Sequence, residues 1–361
     1  MTERFDIAIV GAGMAGASLA AALADKARVL LIEAEDRPGY HATGRSAAFW
    51  VESYGGADVQ PLTTASGPYL KGGGFLVPRG ALTIARAGQE RELQAFADSF
   101  SGLGVRVERF GREELEAHVG GLLPGWVAGA YEPDCCDIDV AGLHQHYLSA
   151  ARGHGVEPWC RARLASAEAD GQGWVLRLED GRSPRCAILV NAAGAWADGV
   201  AERADVRPLG IAPLRRTVAQ LRVNPPATDS LPLVLDVAGK FYFKPEAGRI
   251  WLSPHDETPS PPCDAAPEEI DVATAITRME EVVDWRIERV EHRWAGLRSF
   301  APDRLPVYGF DPANPRFFWF AGQGGFGIQT APAAAALAAR LLLGEQGGEI
   351  DPLRYSPDRL A

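Results

Sequence analysis

The glycine run Gly11-Ala-Gly13-Met-Ala-Gly16 constrains this chain more than any other feature, because of what flanks it. Asp6-Ile-Ala-Ile-Val10 before it is a short apolar run suited to a buried parallel strand. Ala17-Ser-Leu-Ala-Ala-Ala-Leu-Ala24 after it is a strong helix former. Arg28-Val-Leu-Leu-Ile32 then reads as a second buried strand that ends on Glu33. Strand, glycine turn, helix, strand and acid together point to dinucleotide binding. Gly11 makes the tight turn, and Gly13 lets backbone approach a pyrophosphate favoured by the helix N-terminus. Gly16 lets helix and strand pack closely, and Glu33 accepts hydrogen bonds from a ribose.

At 361 residues the chain suits two interleaved domains. Its 47% hydrophobic and 23% charged content describes a soluble globular protein. A net charge of −11 argues against nucleic acid and anionic membrane surfaces as partners. No stretch approaches the ~20 apolar residues of a membrane span. The N-terminal residues carry acids and lack a secretory pattern, so a cytoplasmic location is expected. The five cysteines include no CxxC, which argues for reduced thiols without disulfides or zinc. Adjacent Cys135 and Cys136 are poorly placed to bridge each other. No HExxH occurs. His144 and His146 sit two apart on an expected helix and are expected at the surface, so no metal site is expected.

Beyond Glu33, a loop with Pro38 and Gly39 leads to a helix start expected at Ser46. Short helices and strands follow to about residue 140, and Asp139 caps an amphipathic helix to Ala151. Trp174–Leu178 alternates as a strand, Asp180-Gly181 turns, and Cys186–Asn191 is again a continuous apolar strand. Residues 212–290 form a second excursion, with strands at Thr217–Val223, Phe241–Lys244 and Arg249–Leu252. The expected fold is α/β. A discontinuous Rossmann-type nucleotide domain draws on residues 1–48, 141–211 and 291–361. An α+β substrate domain with a mixed or antiparallel sheet draws on 49–140 and 212–290.

Four blocks make the pattern specific: Gly11–Gly16 with Glu33; Gly39-Tyr-His-Ala-Thr-Gly-Arg-Ser-Ala-Ala48; Val190-Asn-Ala-Ala-Gly-Ala-Trp196; and His292–Phe300 with Gly322–Thr330. On these blocks the chain resembles the D-amino acid oxidase and glycine oxidase superfamily of flavoproteins, most of all the bacterial D-arginine dehydrogenases. The resemblance implies non-covalent FAD. It implies cofactor contacts at Gly11, Ala12, Gly13, Ala15, Gly16, Glu33 and Ala34, and along the loop Thr43, Gly44, Arg45, Ser46, Ala47 and Ala48. It extends them to Leu164, Ala193, Gly194 and Trp196, and to the turn Gly325, Phe326, Gly327, Ile328 and Gln329 before the last helix. That helix's positive end would stabilise charge on the reduced flavin.

The same resemblance implies that Arg298 grips a substrate carboxylate bidentately, with Tyr242 reaching the same group and Tyr54 as a lid tyrosine. It implies a further arginine at Arg215 or Arg216; Arg215 is carried forward as the candidate. Against D-arginine dehydrogenase the pocket departs. An acid that holds a guanidinium becomes Ala81, a His becomes Phe49, a Thr becomes Val51, and a Tyr becomes Trp50. These changes imply an apolar pocket with room near Ala81. They imply a substrate with a hydrophobic group, either an N-substituted glycine or an apolar D-amino acid, and poor turnover of D-Arg. The implied reaction is oxidation of an amino acid C–N bond by hydride transfer to flavin, giving an imine that hydrolyses, with O2 or a quinone as final acceptor. A D-amino acid dehydrogenase of broad specificity and a non-catalytic flavin-binding subunit are the alternatives. Lys244 shares a strand face with Tyr242 and is expected to be solvated.

Overall fold

In the computed structural model, which describes residues 3–360, the first strand is Arg4–Val10. It lies between two parallel neighbours, Arg185–Asn191 and Val29–Ile32. Such a strand is covered on both faces, which is why Ile7, Ala8, Ile9 and Val10 are all buried. Pro158–Trp159 extends the sheet past Val29–Ile32. Phe317–Ala321 adds parallel to Arg185–Asn191, so three distant segments meet in one eight-stranded sheet. One face is covered by the helices Met14–Leu23, Val140–Gly153 and Ala331–Leu343. The other is covered by the helix Ala197–Arg203 and by the hairpin of Leu164–Ala169 and Trp174–Leu178, two strands of the same sheet that pair with the start of Arg185–Asn191 and pack back over this face.

A second sheet of ten strands is mostly antiparallel. Its spine is a pair of long strands, Ala212–Asn224 and Arg286–Phe300, matched from Ala212 opposite Phe300 to Asn224 opposite Arg286. Arg249–Ser253 and Tyr242–Glu246 follow, then Leu233–Asp236 runs parallel to Ala81–Arg86, which pairs with Trp126–Glu132. A small sheet joins Phe49–Trp50, Cys136–Ile138 and Leu76–Pro78.

Three sequence expectations change. The block His292–Phe300 is part of one strand of the second sheet, so a boundary at 290/291 cuts through a continuous element. No helix starts at Ser46: Thr43–Arg45 makes one 3-10 turn, and the chain runs extended into Phe49–Trp50. The helix Gln60–Gly72, within the expected substrate segment, packs Leu62 and Leu70 into the core of the first sheet. Among the described residues no helix is long and apolar enough to cross a membrane.

Candidate active site

The C-terminal ends of Arg4–Val10, Val29–Ile32 and Arg185–Asn191 open into one long cleft, the position that an open parallel sheet offers a ligand. Gly11 turns there at φ +102°, and an added Cβ would sit 2.6 Å from the Ala192 carbonyl oxygen. The helix Met14–Leu23 begins at Gly13 with no side-chain cap and no acid in its first turn, leaving its positive end to the cleft. The Met14 N–H donates to Thr43 Oγ1 at 2.9 Å, which joins the glycine turn to the loop across the cleft. Glu33 accepts from the Ala12 N–H at 2.9 Å and the Glu35 N–H at 3.0 Å, so its carboxylate is fixed at the rim. An uncapped helix start, a close backbone and a fixed carboxylate fit a dinucleotide's pyrophosphate and ribose.

Most residues implied for the cofactor meet in this cleft. They include Gly13, Ala15, Ala34, Thr43, Arg45 and Ser46 to Ala48, then Leu164, Ala193, Gly194, Trp196, Gly325, Gly327, Ile328 and Gln329. Four do not line it. Gly16 serves packing instead: a Cβ there would lie 1.8 Å from the Gly11 carbonyl oxygen. Gly44 approaches the Gly39 carbonyl in the same way, and Ala12 is spent on Glu33. Phe326 turns into a cluster with Val59 and Phe300, because neighbouring residues of so tight a turn face opposite ways. The Arg45 side chain is engaged elsewhere. It donates to the Ala265 and Ala295 carbonyls at 2.8 and 3.2 Å and pairs with Asp264, so it ties the loop to the second sheet.

His144 is buried, not at the surface. Its Nε2 faces the Ala12 carbonyl at 2.9 Å, and burial holds its pKa below the usual histidine value. His146 is exposed as expected. Residues that sequence reading passed over also line the cleft, among them Tyr40, His41, Arg163, Leu297 and Gln323. His41 and Tyr40 stand inside a block the sequence had singled out, so the loop was visible while its aromatic rings were not used.

At the other end of the cleft stand Phe49, Tyr54, Arg216, Tyr242 and Arg298. Arg298 comes from the long strand Arg286–Phe300 and is 12% exposed at its side chain. Its Nη2 donates to the Tyr54 hydroxyl at 2.9 Å and its Nη1 to Glu257 at 3.3 Å. A Cβ on Gly325 would meet Arg298 Nη2 at 2.0 Å, so the turn before the last helix is glycine where the guanidinium passes. Burial pulls the Arg298 pKa below its ordinary value, and Arg216 adds to that pull. Burial pushes Tyr242 up, against the opposing effect of Arg216. Phe49 meets Tyr54 and Tyr242 edge-on at 5.1 and 5.9 Å, forming an aromatic wall.

The second arginine is Arg216, not Arg215. On Ala212–Asn224 alternate residues face opposite sides, so Arg216 and Val218 face the cleft. Arg215 points the other way, to Asp271 at 2.9 Å and to Glu268. Arg216 is held by the Asp256 carbonyl at 2.8 Å, and its buried Nη2 lies 3.6 Å from the Glu257 carboxylate with no hydrogen-bond partner among the described residues. Against the upward push of burial, Arg304, Arg298 and Arg216 hold the Glu257 carboxyl below the usual range.

The pocket departures are reordered too. Phe49 lines the cleft, whereas Trp50 faces away and donates its indole N–H to the Thr63 carbonyl at 2.9 Å. Val51 and Ala81 are buried behind the aromatic wall with Cys135 and Leu233, so no room opens beside Ala81. Lys244 is buried, not solvated: its Nζ pairs with Asp137 at 2.6 Å and Glu246 at 3.1 Å. The five cysteines are unpaired, and the described residues contain no group of three or more His, Cys, Asp or Glu able to hold a metal.

A sequence model of the FAD dependent oxidoreductase family matches residues 6–341. Glycine oxidase of Geobacillus kaustophilus is 25% identical over 360 residues, covering 95% of this chain and 94% of that protein. Glycine oxidase of Pseudomonas aeruginosa is 30% identical over 170 residues, a match spanning 46% of this chain and 44% of that protein. Among solved structures, the G. kaustophilus glycine oxidase superposes with a TM-score of 0.85 at 22% identity, covering 98% of both chains. The L-proline dehydrogenase of P. horikoshii superposes at 0.86 with 20% identity, covering 99% of this chain and 98% of that one. At these identities the superpositions establish a shared fold.

Proposed function

The chain belongs to the FAD dependent oxidoreductase family, and on that premise we propose that it oxidises the C–N bond of an amino acid bearing a hydrophobic group. Bound FAD supplies the hydride acceptor. Gly11, Gly13 and the start of Met14–Leu23 would hold its pyrophosphate, Glu33 its ribose, and the turn Gly325–Gln329 its ring end. The observation that carries the substrate reading is the charge at the far end of the cleft. Arg216, buried, and Arg298, 12% exposed at its side chain, line it; Glu257 pairs with both, at 3.6 and 3.3 Å, without lining the cleft, and the acids that do line it, Glu33 and Glu35, belong to the nucleotide end. That end suits a carboxylate and disfavours a cationic side chain.

Arg298, Arg216 and Tyr242 orient the substrate by its carboxylate, which turns the Cα–H toward the cofactor end. Phe49 and Tyr54 cover the remaining surface with aromatic carbon and exclude water. The substrate amine must be neutral to release hydride, so the rate rises with pH through its ionisation. The resulting imine hydrolyses to a carbonyl compound and an amine, and the electrons pass on to O2 or a quinone. Lys244 is tied to Asp137 and takes no part at the cofactor.

Within this reading an N-substituted glycine is favoured over an apolar D-amino acid by the two glycine oxidase relatives. The implied resemblance to D-arginine dehydrogenase extends to the arginine pair and stops at Phe49, which lines the cleft where the resemblance implies a His, while Ala81 lies packed behind it. Product analysis with N-isobutylglycine and D-leucine tests the proposal. Glyoxylate from the first marks an N-substituted glycine oxidase, and 4-methyl-2-oxopentanoate from the second marks a D-amino acid enzyme. Turnover of neither, with D-arginine oxidised instead, overturns it.

A further inference from the structure

The loop Val51-Glu-Ser-Tyr54 carries the tyrosine that meets Arg298, and three side chains from different elements hold it. Gln329 accepts from the Val51 N–H at 3.2 Å and donates to the Tyr54 carbonyl at 2.9 Å. Arg298 donates to the Tyr54 hydroxyl at 2.9 Å. The third is Glu132, at the end of Trp126–Glu132, whose carboxylate accepts from both the Ser53 N–H, at 3.3 Å, and the Ser53 hydroxyl. After Tyr54 the chain turns through Gly55 and Gly56 at φ +108° and +86°, and a Cβ on Gly56 would meet nothing within 4 Å. Gly55 is still packed, since a Cβ there would meet Phe326 at 2.9 Å and Val59 at 3.0 Å, so the chain opens only at Gly56 and the part that carries Tyr54 rests on these holds.

Glu132 is an unusual choice for such a hold. It is 4% exposed, and burying a carboxylate without a cation is costly. Asp137 nearby shows the usual solution, lying between Lys244 and Arg79 at 2.6 and 2.7 Å. Among the described residues Glu132 has no such partner. The titratable groups that face it are Glu52 on the loop and Cys135 in the turn after its own strand, and the neighbouring strand presents Ala81.

We propose that Glu132 is a positioning residue for the substrate carboxylate: through Ser53 it sets the loop that holds Tyr54 against Arg298, and it does so best when ionised. The inference rests on the reading that Arg298 binds that carboxylate. An ionised Glu132 accepts both Ser53 bonds, whereas a proton occupies one of its oxygens and weakens the hold. Burial raises its pKa to about 7, with Glu52 pushing the same way and the two Ser53 bonds opposing, so the change falls within an enzyme's working range.

The test uses the FAD-loaded enzyme at pH 6 and pH 8. Amide hydrogen exchange of segment 51–56, corrected for intrinsic rates, reads the loop directly. The affinity of 4-methylpentanoate, leucine's carboxylate without its amine, reads Arg298 through flavin absorbance. The wild type should show better protection and tighter binding at pH 8. Glu132→Gln should remove that pH dependence in both readouts. Glu132→Ala should speed exchange and weaken binding about tenfold at pH 8, the size of one lost charged hydrogen bond. Ser53→Ala, a milder change should Glu132→Ala fail to fold, should shift both in the same direction. Unchanged exchange in Ser53→Ala, or wild-type pH dependence in Glu132→Gln, would overturn the inference. If 4-methylpentanoate fails to bind the wild type, the carboxylate reading falls, while the exchange measurement still decides the role of Glu132.

Discussion

The two ends of the cleft are built from different materials. The nucleotide end is backbone: a glycine turn, a helix start without a cap, and a carboxylate held by two N–H groups. The substrate end is side chain: two arginines and three aromatic rings drawn from elements far apart in sequence. Backbone tolerates no Cβ where it approaches a ligand or itself, so changes at the first end should act as all-or-none. Side chains can be trimmed one at a time, so changes at the second should be graded.

Gly11→Val is the harshest test of that contrast. The new Cβ would stand 2.6 Å from the Ala192 oxygen, in a backbone conformation that a β-branched residue avoids. Purified protein should carry no FAD, read as loss of absorbance near 450 nm, and normal loading would refute the backbone account. Arg298→Lys comes next. It should keep its FAD and lose about 100-fold or more in kcat/KM, since lysine cannot reproduce a bidentate grip. A loss confined to FAD content would move Arg298 to the other end of the comparison.

Neighbouring arginines sharpen it further. Arg216→Ala should raise KM by about tenfold, on the scale of one charged hydrogen bond. Arg215→Ala should leave KM unchanged and lower the melting temperature slightly, because its partner Asp271 is itself only partly exposed. Equal effects of the two on KM would show that strand alternation does not govern the pocket.

The smallest effect is on stability. Glu132 has a folded pKa of about 7, above the ordinary 4.5, because burial disfavours its charge. Between those values the folded chain binds more protons than the unfolded one. This group's contribution is therefore complete below about pH 4.5 and is lost as pH rises through 7. Relative to Glu132→Gln, the wild type should lose on the order of 2–3 kcal/mol between pH 5 and 8 by linkage. Urea titrations of the FAD-loaded proteins at both pH values measure it, and a constant difference would contradict the assignment.

The same contrast explains what the sequence disclosed. Gly11, Gly13, Gly16 and Glu33 are legible because backbone approach demands fixed residue types at fixed spacing. The strands around them are legible because burial on both faces demands unbroken apolar runs. The substrate end depends on register. Choosing Arg216 over Arg215 requires knowing which face of Ala212–Asn224 meets the cleft, and that follows from its pairing with Arg286–Phe300, some eighty residues away. The family resemblance places Trp50, Phe326 and Ala81 in the site; Trp50 and Phe326 each stand one step from a lining residue and face elsewhere, and Ala81 is packed behind the aromatic wall. His144 and Lys244 lie on faces whose covering elements come from distant segments, so their burial has no local signature. Glu132 carries no motif at all; its role rests on one serine across the fold.

The central claim is that the arginine end accepts a carboxylate with an apolar remainder and rejects a second cation. Anaerobic mixing of the FAD-loaded enzyme with D-leucine, N-isobutylglycine and D-arginine at equal concentration reads it directly, as the rate of flavin bleaching. The account predicts that at least one of the two apolar substrates bleaches the flavin faster than D-arginine, and that Arg298→Lys slows the faster one. Faster bleaching by D-arginine than by either would contradict it.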